Sequence, residues 1–403
     1  MFIFIPMARV GSLYLLLITL ICICVSCNSD VISDYSQAPT VTSLFDNFDG
    51  VINVEKTDII ATSGNNILKI VGNQLAMSND LGYTWKYLEN TIGIISFVHW
   101  FNDKTCLICG RKKAYWVDSS FSKFHESLVY DYDGNILEDN SPHFYKALRG
   151  HNDYMTIGGK EVMIWSDYFG DVDGYLSRIW YSEDCGKTIR CICKNNETRT
   201  EDGQIIKCRH FHDCVVREGY DELYITTGDE GSQCMLIRGQ YSDENWRFTL
   251  LGQGSLYKFG SVYIDDPYLY LFCDYTGYGQ TGILKATISE AHIFSNYEYV
   301  YTCPDNLPIV KSFKIGKYTF YTYDGSVAGK VLFSYDSKPF HELYVLFEGR
   351  VSSVSFLSNP NNAGLVLVRI GSGYNITDLK LNDCMYNFTN GMRSAGFNDF
   401  GFF

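Results

Sequence analysis

Ser78-Asn79-Asp80-Leu81-Gly82-Tyr83-Thr84-Trp85 reads S-x-D-x-G-x-T-W, and the pattern returns further down the chain. Ser182-Glu183-Asp184-Cys185-Gly186-Lys187-Thr188 repeats it with Ile189 in place of the tryptophan. Ser242-Asp243-Glu244-Asn245-Trp246 and Ser334-Tyr335-Asp336 are shortened copies. These are the residue types of a hairpin turn. Ser and Asp side chains accept hydrogen bonds from turn N–H groups, Gly takes φ > 0, and Trp folds back onto the strands.

Between these turns no long segment has helical periodicity. Apolar or alternating runs of about five to eight residues recur, broken by Gly, Asn, Asp and Ser, which is a strand pattern. The chain divides into units starting near Asp58, Ile94, Asn152, Phe211, Phe259, Ser312 and Val351. Their spacing of roughly 40–60 residues is that of propeller blades. The expectation is an all-β chain forming a single β-propeller of seven four-stranded blades, with six as the alternative because the third boundary is ill-defined. The turn motifs should lie between third and fourth strands, on the outer side, where they build scaffold. Chemistry should sit where first strands begin and second strands end, around the central mouth.

Composition agrees with this. The 403 residues are 46% hydrophobic and 20% charged, enough for a sizeable core. Thirty-one Tyr and 26 Phe against 8 Pro favour aromatic-faced strands. A net charge of −13 argues against nucleic acid as a partner.

Residues 1–27 read as an export signal, with Arg9 as the early charge and an apolar run from Leu13 to Val25 too short for a comfortable membrane span. Val25-Ser26-Cys27 resembles a bacterial lipoprotein box, although Cys24 stands where Leu is usual. The resemblance implies lipidation at Cys27 and a Gram-negative cell-envelope location, either outer membrane or periplasm, with a plain cleaved signal or a short membrane anchor as the alternatives. Residues 28–47 would then be a tether, and the repeating units place the propeller over 48–403, with a segment near Val41–Phe45 helping to close it. Eleven cysteines follow Cys27, mostly inside strand-like runs, where they read as small buried hydrophobes.

The stretch Lys207–Asp229, KCRHFHDCVVREGYDELYITTGD, carries the densest chemistry. Arg209-His210-Phe211-His212 opens one strand, and Thr226-Thr227-Gly228-Asp229 closes the next, so a hairpin brings the basic cluster and the acid to one rim. Alternation puts His210 and His212 on one side of the segment and Arg209 on the other. The neighbouring units supply His151 and Lys258 before first strands and Asp167 and Asp274 after second strands, with Lys311 and Asp324 in the sixth. The candidate catalytic set is Arg209, His210, His212, Asp229, Asp274 and Asp167. The candidate sugar-binding set is His151, Tyr168, Lys258, Tyr275 and Tyr323.

The turn motifs look like the Asp boxes, or BNR repeats, of sialidases and other carbohydrate-active propellers. From Met163 to Thr276 the order Trp165-Ser166-Asp167-Tyr168, Ser182–Thr188, Arg209–His212, Thr226–Asp229, Ser242–Trp246 and Cys273-Asp274 resembles a group of bacterial sialidase-like BNR proteins. The resemblance implies an exported carbohydrate-active protein. Sialidase activity itself is disfavoured, because no arginine triad assembles at strand ends.

Three chemistries fit the candidate residues. Glycoside hydrolysis would use two of Asp167, Asp229 and Asp274. Uronate β-elimination would use Arg209 or Lys258 on the carboxylate and a histidine as base. A divalent metal on His210, His212 and Asp229 is the third, though His-x-His at a strand start is more often a hydrogen-bonded pair, and no cofactor is expected. The expected partners are a glycan and, through the lipid, a membrane. A non-catalytic glycan-binding surface lipoprotein is the alternative to an enzyme. The plainest reading of Thr-Thr-Gly-Asp is a turn in which Asp229 caps backbone N–H groups.

Overall fold

In a computed structural model the chain forms a succession of antiparallel sheets. The structure describes residues 58–137 and 155–302, apart from loop segments that include 80–83, 168–176 and 275–280, and the backbone of seven further strands between 309 and 387. The export segment, the tether and Val41–Phe45 lie outside the described residues.

The first sheet holds Asp58–Ser63 (β1), Asn66–Val71 (β2), Gln74–Ser78 (β3) and Lys86–Leu88 (β4). The second holds Ile95–Trp100 (β5), Cys106–Gly110 (β6), Ala114–Val117 (β7) and Phe124–Glu126 (β8). Leu128–Tyr130 (β9) then runs parallel to the outer strand of the third sheet, which is Met155–Ile157 (β10), Lys160–Ser166 (β11), Arg178–Ser182 (β12) and Thr188–Lys194 (β13). The fourth is Phe211–Arg217 (β14), Glu222–Thr227 (β15), Met235–Ser242 (β16) and Asn245–Gln253 (β17). The fifth is Phe259–Asp265 (β18), Tyr268–Cys273 (β19), Gly282–Thr287 (β20) and Glu298–Thr302 (β21). The sixth is Ile309–Ile315 (β22), Tyr318–Tyr323 (β23), Gly329–Tyr335 (β24) and Tyr344–Gly349 (β25). The seventh shows Ser353–Phe356 (β26), Leu365–Ser372 (β27) and Lys380–Asn387 (β28). Each sheet starts within about three residues of the unit boundary read from the sequence. This is the up-and-down succession of a β-propeller.

Burial shows which strands are central. β14 is buried at every position but its last, β15 throughout, β16 in part, and β17 is mostly open. The fifth sheet repeats that gradient from β18 to β21. First strands of successive sheets lie side by side, β14 against β18 and β18 against β22. Apolar residues fill the space between sheets: Trp165, Phe211 and Ile225 belong to one cluster, and Tyr224, Phe259 and Leu271 to another. Face-to-face burial of this kind, at about 25 cal/mol per Å² of apolar surface, is what holds adjacent blades together.

The turn motifs fall between third and fourth strands. In the copy between β12 and β13, the Gly186 N–H donates to Ser182 Oγ (3.0 Å) and the Thr188 N–H to Asp184 Oδ1 (2.8 Å). Cys185 and Gly186 both take positive φ there. The shortened copy is a two-residue turn in which Asp243 and Glu244 have positive φ and Trp246 packs on Tyr241 and Tyr181. The turn residues of the first copy, 80–83, lie outside the described residues. Among the described residues nine cysteines carry thiols rather than disulfides, eight of them buried, as small core residues do.

A second regularity was not visible in the sequence. The first strand of five sheets carries a bulge near its start, after the second residue in the first sheet (Ile59/Ala61) and after the opening residue in the others, between Ile95/Phe97, Phe211/Asp213, Phe259/Ser261 and Ile309/Lys311. The skipped residues are Ile60, Ser96, His212, Gly260 and Val310. A bulge bends the strand and re-aims the side chain it skips.

Candidate functional site

His212 is thus the bulge residue of the fourth sheet, and its fully buried ring turns towards the fifth. Its Nδ1 lies 2.8 Å from the carbonyl oxygen of Phe259. A carbonyl can only accept, so Nδ1 carries the proton. Its Nε2 then faces the Nε2 of buried His210 at 3.0 Å. The two rings are therefore on one side of the segment, as alternation requires.

Asp229 closes the cluster. Its Oδ1 lies 3.3 Å from His210 Nε2 and 3.6 Å from His212 Nε2, and its Oδ2 accepts from Arg209 Nη1 at 3.2 Å. Arg209 starts on the other side of the segment, and its long side chain reaches round to the acid. Hydrogen bonds from His210 and then His212, with their charge, hold the Asp229 carboxyl far below the usual carboxylate range, against the opposing effect of burial. Exposure rises outward through the cluster, from 0% for the His212 side chain to 30% for Asp229 and 57% for Arg209. The cluster runs from two buried histidines to a solvent-facing guanidinium.

The Thr-Thr-Gly-Asp turn explains how the acid gets there. Thr227 Oγ1 donates to the Gln233 carbonyl (2.7 Å) and accepts from the Met235 N–H (3.1 Å), and the Gly228 N–H donates to the His210 carbonyl (3.2 Å). Gly228 has φ +83°, and a Cβ there would come within 1.9 Å of the Gln233 carbonyl oxygen. Turn chemistry belongs to Thr227 and Gly228. Among the described residues the Asp229 carboxylate caps no backbone N–H; its partners are the three basic side chains.

Among the described residues the fifth sheet does not carry the same cluster. The Asp274 N–H donates to the Lys258 carbonyl (3.0 Å), as the Gly228 N–H does to that of His210. Lys258 therefore occupies the place of His210 rather than Arg209, and Asp274 that of Gly228. Asp229 stands one residue further out than Asp274. Both Lys258 and Asp274 still belong to the neighbourhood. The Cys234 thiol, pushed up to about 11 chiefly by burial, is influenced by Lys258, Asp229, Asp274 and Glu230 together. Lys311 is displaced too, because it follows the β22 bulge and corresponds to Asp213.

Asp167 sits differently. It is buried, its Oδ2 accepts from Trp180 Nε1 at 2.8 Å, and its carbonyl accepts from Ser177 Oγ. Its role is to tie β11 to β12, away from solvent. His151, Tyr168, Tyr275 and Asp324 lie outside the described residues, as do Cys27 and the side chain of Tyr323.

One residue beside the cluster escaped the sequence reading. Buried Asp213 accepts from the Cys214 N–H (2.9 Å), Ser261 Oγ (2.6 Å) and the Val262 N–H (3.1 Å), clasping the fourth sheet to the fifth. It immediately follows His212 and fixes the wall against which that ring stands. The available signal was Ser261, the residue at the matching place in the next unit.

No family model matches the chain, and no curated protein does. Among solved structures, a complex described as YCF48 bound to D1 peptide is 11% identical over 86% of this chain and 97% of its own, with a TM-score of 0.47. YCF48 from Cyanidioschyzon merolae is 9% identical over 87% and 98%, with a TM-score of 0.44. An ancestral GH74 enzyme is 14% identical over 86% of this chain and 51% of its own, with a TM-score of 0.47. Likeness of this degree says nothing of activity, and the fold rests on the strand pairing above.

Proposed function

We propose that the protein is a carbohydrate-active propeller that takes the carboxylate of an acidic sugar at the rim of the fourth and fifth sheets and promotes β-elimination there. The observation that carries this reading is the Asp229 carboxylate, held ionised between two buried histidines and a guanidinium that is more than half exposed. Arg209 offers a planar fork suited to a carboxylate, and among the described residues its only ion pair is with Asp229.

The alternatives weaken on the same ground. Two-carboxylate hydrolysis needs one carboxyl protonated. Asp229 is kept ionised and Asp167 is buried under Trp180, which leaves that role to Asp274 alone. In the elimination, Arg209 binds the uronate group and stabilises charge delocalised into it. A histidine of the cluster in its neutral form, His210 or His212, receives the proton from the carbon next to the carboxylate. That C–H pair becomes the new carbon–carbon double bond as the adjacent C–O bond breaks, and the leaving oxygen takes up a proton. We further propose that this happens outside the cytoplasm, with the chain anchored through Cys27.

Titration calorimetry of uronate oligosaccharides and their neutral counterparts tests the recognition step. Arg209→Gln should weaken uronate binding about tenfold or more, the scale of one charge-assisted contact, and leave the neutral sugar unaffected. Equal affinity for both sugars, or an Arg209→Gln protein that binds uronate as the parent does, would reject it.

A further inference from the structure

We infer that His210, His212 and Asp229 form a divalent metal site, with Nε2, Nε2 and Oδ1 as ligand atoms. The three atoms stand 3.0, 3.3 and 3.6 Å apart. A circle through them has a radius of about 1.9 Å, so a single point less than ~1 Å off their plane lies about 2.1 Å from all three. That is the bond length zinc makes to imidazole nitrogen and carboxylate oxygen, and the angles subtended are about 90–120°. Any three atoms this close share such a centre, so what marks these as ligands is where their lone pairs point.

Protonation points the same way. The Phe259 carbonyl fixes the proton of His212 on Nδ1, so in the neutral ring Nε2 presents its lone pair to the centre. A backbone carbonyl on the far nitrogen is the usual support of a metal-bound histidine. The backbone holds the site on both sides, since the β14 bulge aims His212 and Gly228 sets Asp229 opposite it. Both imidazoles are buried, so the direction left for further ligands is that of the part-exposed Asp229 and of Arg209. Two nitrogens and one carboxylate oxygen suit a late first-row divalent ion such as zinc, with an open position facing the mouth. This departs from the expectation of no cofactor. As a metal site it stands alone. An ion there would occupy the Nε2 lone pairs that the elimination needs as base, so the loaded site would hold a sugar carboxylate beside Arg209 but block the reaction; this consequence rests on the reading proposed above.

The test uses the full chain, purified in detergent and stripped with a chelator, in titrations with zinc, manganese and cobalt salts and no sugar present. One equivalent of at least one ion should bind, bound cobalt should show visible ligand-field bands, and binding should raise the melting temperature. Asp229→Asn and His210→Ala, each checked for folding by its own melt, should bind about 100-fold more weakly or worse. Absence of stoichiometric binding by the parent, or undiminished binding by both variants, overturns the site. Turnover of uronate glycans by the ion-loaded protein at the same rate as by the stripped protein overturns this blocking effect and leaves the glycan reading standing. A proven metal site with no affinity for uronate sinks the glycan reading and leaves the site.

Discussion

Replacing Asp213 should weaken the junction between the fourth and fifth sheets more than any other polar substitution near the site. Its carboxylate accepts from three donors, the Cys214 N–H, Ser261 Oγ and the Val262 N–H, and both Asp213 and Ser261 are buried. A buried donor left without an acceptor costs about 1–3 kcal/mol, so three give a gross loss of roughly 3–9 kcal/mol. Partial relaxation and water entry bring the expected figure for Asp213→Ala to about 3–5 kcal/mol, the lower part of that gross range. Asp213→Asn retains one acceptor oxygen and turns an NH2 group towards the remaining donors, for about 1–3 kcal/mol. Urea unfolding followed by tryptophan fluorescence should show the midpoint falling in the order parent, Asn, Ala, with the slope unchanged. A double-mutant cycle with Ser261→Ala should give a coupling of about 1–2 kcal/mol. A loss below about 1 kcal/mol for Asp213→Ala, or strict additivity with Ser261→Ala, would refute the clasp.

Gly228→Ala should cost about 3–5 kcal/mol, because φ +83° alone costs about 1–2 kcal/mol and the added Cβ meets the Gln233 backbone, which no rotamer change relieves; thermal melts within about 1 kcal/mol of the parent would contradict it. Trp180→Phe leaves the Asp167 carboxylate without its indole donor and should lose about 1–3 kcal/mol in the same urea assay, with unchanged stability as the contrary result. The folded pKa of Asp229 lies below the unfolded value of about 3.9, so its stabilisation is complete above that pH and is lost as pH falls towards the folded pKa. Asp229→Asn should therefore be less stable at neutral pH and show a shallower decline below about pH 4, whereas parallel acid limbs would contradict the assignment.

The scaffold could be read from the sequence because its signals are local. A turn of Ser, Asp and Gly at fixed spacing closes on itself, as Ser182, Asp184 and Gly186 do, whatever surrounds it. The hairpin bringing Arg209, His210 and His212 to Asp229 was legible for the same reason. What escaped depends on register between strands. The bulge at His212 is a property of β14 against β15, and no pattern within β14 marks it. Asp213 reads as one polar residue in an apolar strand until Ser261 of the next sheet is beside it. Asp167, Asp229 and Asp274 look equivalent because each follows a second strand. The extra residue, Gly228, moves Asp229 outward, and Trp180, arriving from the following strand, takes Asp167 into the core.

The central claim is that the cluster of Arg209, His210, His212 and Asp229 turns over acidic glycans by elimination. Incubating the full chain with uronate polysaccharides and following the ultraviolet absorbance of the unsaturated uronate tests it most directly. The account predicts a steady rise with the parent protein and none with His210→Ala. New reducing ends without that absorbance, or an equal rise with His210→Ala, would contradict it.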